Sequence, residues 1–155
     1  MTPLERAIAF AVERHAGQVD RYGRPYILHP LRLLHGMDTD PERMTAALHD
    51  VLEDCPGVTL ADLARLGVPP AVLKAVALLT HAVDVSWDDY IARLAPDPIA
   101  RKVKLADLAD NMDLRRAEEL RPEDLERYNR YMRARRTLLA AAASQVITAP
   151  PSAPS

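Results

Sequence analysis

A chain of 155 residues fits one domain and can bury a core large enough to fold without disulfides or a structural metal. Its 22 acidic and 20 basic side chains leave a formal net charge of −2, so no overall field gathers nucleic acid or an anionic membrane, and neither is an expected partner. The single cysteine, Cys55, excludes an internal disulfide; no charged-then-apolar leader or long apolar run appears, and a reducing cytoplasm is the expected setting.

Five glycines and one phenylalanine beside abundant Ala, Leu and Arg are poor material for a sheet and good material for helices. Pro3, Pro41, Pro98 and Pro122 each open a helical pattern, where a missing N–H costs nothing. Thr2 with Glu5 reads as a capping box for a first helix that carries Ala7, Ile8, Ala11 and Val12 and ends near His15. Residues 18–29 mix Gly, Pro and aromatic residues without a helical period and read as a loop that turns and then runs extended. Residues 30–35 suit a short helix. Asp40-Pro41-Glu42 caps a longer one through Met44, Ala47, Leu48, Val51 and Leu52, with His49 and Asp50 inside it. Thr59 with Asp62 starts a helix to about Leu66, Pro69-Pro70 another through Val72, Val76 and Leu79, and Ser86 with Asp89 a third. Asp97-Pro98 caps a helix bearing Ile99, Val103, Leu105, Ala106 and Leu108, and Arg121-Pro122-Glu123 begins a last long one reaching the alanine run at 140–143. The pattern predicts an all-α helical bundle over residues 1–147, with a disordered Pro-rich tail at 148–155.

The sharpest chemical signal is His49-Asp50 followed by Glu53-Asp54. On a helix, positions i and i+4 share a face, which stacks His49 near Glu53 and Asp50 near Asp54. Three carboxylates and an imidazole so close repel one another when ionised, and a divalent cation is the commonest remedy; a solvated acidic helix end is the alternative. On a later helix Lys104, Asp107 and Asn111 follow an i, i+3, i+7 spacing on one face. They offer charge to a phosphate, an anionic oxygen to a metal, and an amide that donates or accepts. A plain surface Lys–Asp pair worth about 0.3 kcal/mol is the alternative there. His29 precedes Pro30, which favours extended backbone and leaves the imidazole projecting from the end of the loop, where it can complete a metal shell. Two imidazoles and two carboxylates suit Mn²⁺, Fe²⁺ or Zn²⁺. His15, His35 and His81 lack comparable company and read as structural or surface residues.

Four stretches then act together: HAGQ at 15–18, GRPYILHP at 23–30, AALHDVLED at 46–54 and VKLADLADNM at 103–112. In this order and spacing they make the chain resemble the HD hydrolase domain of the RelA/SpoT-type alarmone enzymes, above all their small stand-alone hydrolases, over most of residues 5–115. The resemblance implies a helical fold holding one Mn²⁺, with His29, His49, Asp50 and Asp107 as its ligands, Glu53 and Asp54 as the catalytic pair, and Asn111 against the substrate. The implied reaction, part of the stringent response, removes pyrophosphate from the 3′ position of ppGpp or pppGpp. Arg21, Arg24 and Lys104 are the expected phosphate contacts, and Tyr22 or Tyr26 the residues to face a base or ribose. One departure stands out: many family members carry Arg-Lys before PYI, whereas here Asp20-Arg21 lie at that offset from His29. An HD-class phosphomonoesterase or phosphodiesterase acting on another nucleotide, and a non-catalytic nucleotide-binding module, are the competing readings. The length leaves no room for a synthetase domain as well.

Overall fold

The computed structural model describes residues 1–117 and 119–148, and they form an all-α bundle. The helices in chain order are α1 (Pro3–Arg14), α2 (Leu28–His35), α3 (Asp40–Leu48), α4 (Val51–Asp54), α5 (Leu60–Arg65), α6 (Pro70–Leu79), α7 (Trp87–Leu94), α8 (Pro98–Asn111) and α9 (Pro122–Thr148), with a 3-10 turn at Leu114–Arg116. Among the described residues no strand forms, and an isolated antiparallel bridge joins Val19 to Pro25. The Pro-rich tail expected at 148–155 lies, apart from Thr148 at the end of α9, outside the described residues. No helix among the described residues is long and apolar enough to cross a membrane.

The capping chemistry read from the sequence is present. Thr2, Thr39 and Thr59 each close a capping box with Glu5, Glu42 and Asp62, and Ser86 and Asp97 accept backbone N–H groups at the starts of α7 and α8. Each such cap contributes about 1 kcal/mol and fixes where its helix begins. At α3 the cap is Thr39, not Asp40, which becomes the first helical residue with Pro41 behind it.

Two apolar clusters hold the bundle. One joins α1, α3, α5 and α6 through Ala7, Ala11, Ala47, Leu48, Leu63, Val72 and Val76; the other joins α6, α7, α8 and α9 through Leu79, Tyr90, Leu94, Val103, Leu108 and Leu138. α3 lies between them, packed on α1, α2, α6 and α8, and Ala46 and Ala47 are fully enclosed. Small residues on α3 let its neighbours approach closely. The end of this central helix, where His49 and Asp50 sit, is therefore rigidly placed.

Two local expectations fail. α2 begins at Leu28, two residues before Pro30, so His29 is a buried helical residue and not the end of an extended loop. Pro30 fits because the first turn of a helix needs no N–H donor from it. The second failure is that α3 and α4 are separate: His49 and Asp50 occupy a turn between them and do not lie inside one helix.

Candidate active site

The break between α3 and α4 sets the geometry of the site. Asp50 takes φ −105° and ψ −4°, and its carbonyl restarts the helix by accepting from the N–H groups of Glu53 (3.1 Å) and Asp54 (2.8 Å). The interruption aims His49 and Asp50 inward at one point and leaves Glu53 and Asp54 at the rim. His49 Nδ1 lies 2.8 Å from the Ala46 carbonyl oxygen, which can only accept, so the ring proton sits on Nδ1. His29 Nδ1 lies 2.7 Å from Asp110 Oδ2 and is protonated for the same reason.

Both imidazoles therefore turn Nε2 toward the same carboxylates. His49 Nε2 is 2.7 Å from Asp50 Oδ2, and His29 Nε2 is 3.8 Å from Asp50 Oδ2 and 3.2 Å from Asp107 Oδ1. One ligand atom each of His29, His49 and Asp50 lies within 4.8 Å of the other two. His49 Nε2 is buried and makes no hydrogen bond despite that short approach. A buried imidazole nitrogen beside a carboxylate oxygen is what a cation site presents, and the residues fit a divalent ion with mixed N/O ligands.

Asp107 is held from three sides. Lys104 Nζ donates to Oδ2 at 2.8 Å, Asn111 Nδ2 donates to Oδ1 at 2.5 Å, and His29 faces Oδ1. Burial opposes its charge, but the Lys104 ammonium and the His29 hydrogen bond outweigh this and keep Asp107 far below the usual carboxylate range. Burial likewise works against the charged ring of His29, yet hydrogen bonds to Asp107 and Asp110 push its pKa up to about 9. The sequence pattern cast Lys104 and Asn111 as substrate contacts; the structure places both on the cavity wall with one bond each committed to Asp107.

Tyr26 also faces protein: its hydroxyl donates to Asp50 Oδ2, and its ring stacks on His15 at 4.9 Å. Partial burial, then the Asp50 charge, raise the pKa of Asp54. The HAGQ stretch lies behind that residue. His15 Nδ1 donates to Gln18 Oε1 (2.7 Å), and Gln18 Nε2 donates to the Asp54 carbonyl (3.0 Å). Glu53 Oε2 accepts from the backbone N–H of His81 at 3.1 Å, so His81, read as structural or surface, in fact borders the site. The cavity is about 210 Å³ and is completed by an aromatic wall of Trp87, Tyr90 and Tyr131, with Lys104 Nζ 5.2 Å from the rings of both Trp87 and Tyr90. Nothing in the sequence spacing pointed to Trp87 or His81; Asp110, three residues beyond Asp107 on α8, was visible as a face-mate but had no assigned role.

Arg21, Tyr22 and Arg24 lie elsewhere. With Arg115, Arg116 and Arg121 they line a second, larger cavity of about 790 Å³. Asp20 builds the loop that presents them. Its Oδ1 accepts from the N–H groups of Tyr22 and Arg24, both at 2.9 Å, and Gly23 turns the chain at φ 74°. The Asp20 carboxylate, where the resemblance implies a cation, is thus spent on the backbone of the turn. Arg21 is fixed at 2.7 Å by Asp124, which is 2% exposed near the start of α9.

No family model matches the chain. It is 34% identical over 121 residues to the guanosine-3′,5′-bis(diphosphate) 3′-pyrophosphohydrolase of Aquifex aeolicus, covering 70% of this chain and 17% of that protein. It is 35% identical over 141 residues to the Vibrio cholerae protein of the same name, covering 82% and 20%. Its identity to the bifunctional (p)ppGpp synthase/hydrolase SpoT of Escherichia coli is 32% over 146 residues, again 82% and 20%. The chain thus spans a fifth or less of the length of these curated relatives. A solved structure of a metazoan orthologue of SpoT, described as hydrolysing ppGpp and acting in starvation responses, superposes with a TM-score of 0.72 at 21% identity, covering 91% of this chain and 85% of that one. At that identity the likeness establishes the fold. In sequence and fold together this chain is similar to the RelA/SpoT hydrolases.

Proposed function

We propose that this protein is a divalent-metal-dependent phosphohydrolase that removes the 3′ pyrophosphate of ppGpp, the activity named for its relatives from Aquifex aeolicus and Vibrio cholerae. The observation that carries this reading is the cluster of His29, His49 and Asp50, with Asp107 3.2 Å from His29 Nε2, beside the rim carboxylates Glu53 and Asp54. Those four residues would hold the ion, with Mn²⁺ our first assignment. When bound, such an ion supplies Lewis acidity, polarising a phosphoryl oxygen and bringing the pKa of water toward neutrality.

The chain's own groups do the rest. Asp54, with its raised pKa, accepts the proton of the attacking water more readily than an ordinary carboxylate, and Glu53, fixed by the His81 amide, orients that water. The water oxygen bonds to the phosphorus nearest the ribose while the bond from that phosphorus to O3′ breaks; O3′ takes up a proton and pyrophosphate leaves. Lys104 stays charged, because Asp107 outweighs its burial, and offsets the negative charge of the leaving diphosphate. Arg21, Arg24 and Tyr22, in the arginine-lined cavity, take the remainder of the nucleotide, and Asn111, on the wall of the smaller cavity, would offer it an amide.

The test is release of pyrophosphate from ppGpp by the purified protein with Mn²⁺, with and without chelator, beside Glu53→Gln. Chelator-sensitive release that the variant loses supports the reading. A folded, metal-loaded protein that releases nothing from ppGpp sinks it; turnover of another phosphorylated nucleotide would then mark a different HD-class esterase, and tight nucleotide binding without turnover a binding module.

A further inference from the structure

Asp110 is the most heavily engaged carboxylate near the site, and none of its contacts is with a proposed ligand other than His29. Oδ2 accepts from His29 Nδ1 at 2.7 Å. Arg32, from α2, grips the carboxylate in bidentate fashion, Nε to Oδ1 at 2.7 Å and Nη2 to Oδ2 at 2.9 Å. Arg116, from the 3-10 turn, adds a contact at 3.1 Å to Oδ2 and also donates to the Asp110 backbone carbonyl. The side chain is 12% exposed. The two guanidiniums leave it no freedom to rotate, so the oxygen facing His29 is fixed in direction as well as in charge.

The two imidazoles of the site are held in different ways. His49 gives its Nδ1 proton to a neutral carbonyl, that of Ala46, whereas His29 gives its proton to an ionised carboxylate. A carboxylate in that position keeps the proton on Nδ1 when a cation takes the place of the one on Nε2, orients the ring, and makes Nε2 a stronger ligand than a carbonyl does.

We propose that Asp110 is a positioning residue for the metal: clamped by Arg32 and Arg116, it fixes the tautomer and direction of His29 so that Nε2 faces the ion beside Asp107. The inference rests on the metal-dependent reading above and assigns a role that the ligand set alone does not contain. It also gives α2 and α8 a shared function, since Arg32 and His29 reach Asp110 from one helix while Asp107 approaches the same ring from the other side. A purely structural tie between the two helices would need Arg32 but would be indifferent to what faces His29 Nδ1.

The experiment is calorimetric titration of the full chain with Mn²⁺, comparing wild type, Asp110→Asn, Asp110→Glu and Arg32→Met, with a thermal melt of each. Asp110→Asn is expected to keep its fold and weaken Mn²⁺ binding by roughly 10–100-fold. Asp110→Glu should recover most of that loss, because it restores the charge facing Nδ1. Unchanged Mn²⁺ affinity in a folded Asp110→Asn protein overturns the proposal, as does a loss of affinity that merely follows lost thermal stability and that Asp110→Glu does not restore. If Asp110→Asn fails to fold, Arg32→Met decides: it leaves the carboxylate but frees it to rotate, and should weaken Mn²⁺ several-fold, whereas wild-type affinity would overturn the proposal. A wild-type protein that takes up no metal at all defeats the metal-dependent reading itself; wild-type uptake with no effect of these variants defeats this inference alone.

Discussion

The metal cage and the arginine-lined cavity beside it are built on opposite plans. In the cage, His29, His49 and Asp107 are buried and Asp50 and Asp110 are partly so, and each carboxylate is gripped by named partners: Asp107 by Lys104 and Asn111, Asp110 by Arg32 and Arg116, Asp50 by Tyr26. In the cavity, Arg21, Arg24, Arg115, Arg116 and Arg121 come from loops and a short 3-10 turn, and Arg115 keeps a side chain 90% exposed. Precise placement of reacting groups needs rigid elements, whereas an anionic group of variable position is met well enough by charge displayed from loops. On the proposed function, chemistry and recognition fall to different parts of the fold.

That contrast predicts unequal responses to substitution. The largest effect belongs to the cage: Asp107→Ala removes a ligand and also strands the buried Lys104 ammonium. Loss of bound metal by elemental analysis should accompany a destabilisation of about 3–5 kcal/mol, or roughly 10 °C in Tm. Full metal content in that variant would break the division at its strongest point. Next comes Glu53→Gln at the rim, where turnover should fall by about 10²–10⁴-fold while metal content and Tm stay near wild type. In the cavity, Arg21→Ala should act mainly on KM, raising it roughly tenfold, equivalent to about 1.4 kcal/mol, with kcat nearly preserved and the effect shrinking at high salt. A fall in kcat without a change in KM would place Arg21 in the chemistry instead.

The smallest effect sharpens the boundary between the two regions. Asp124 anchors Arg21 and Arg127 and accepts from the Arg121 N–H, and those hydrogen bonds hold its pKa below the ordinary carboxylate value. A group whose pKa is depressed by folding stabilises the protein fully above its unfolded pKa of about 4, and that contribution fades as pH falls through the folded value. Melting curves should therefore show Asp124→Asn less stable than wild type by a constant margin above pH 5, with the margin narrowing below pH 4. A margin that does not narrow means that the charge of Asp124 is not what tethers the loop.

The sequence carried most of the fold, because caps are local: a threonine and an acidic residue three positions on can be recognised without knowing what the helix packs against. It carried less of the site. His49 and Asp50 were found but placed inside a helix, since the break between α3 and α4 has no Gly or Pro to mark it and is imposed by packing. His29 was assigned an extended backbone from Pro30, a local preference that burial of α2 overrides. The arginine-lined cavity was half visible, because joining Arg21 and Arg24 to Arg115, Arg116 and Arg121 depends on how distant loops meet. Asp20, conspicuous as a departure from the family pattern, acquires its meaning only from the turn it closes.

The aromatic wall of the metal cavity contains the chain's single tryptophan, Trp87, with Lys104 Nζ 5.2 Å and the Arg130 guanidinium 5.0 Å from its ring. Indole emission shifts with the electric field of nearby charges, and two cations lie against this ring that the proposed polyphosphate substrate would neutralise or draw away. The molecule therefore carries its own optical reporter: ligand arrival can be followed in real time by intrinsic fluorescence, without a label and without a competing tryptophan signal.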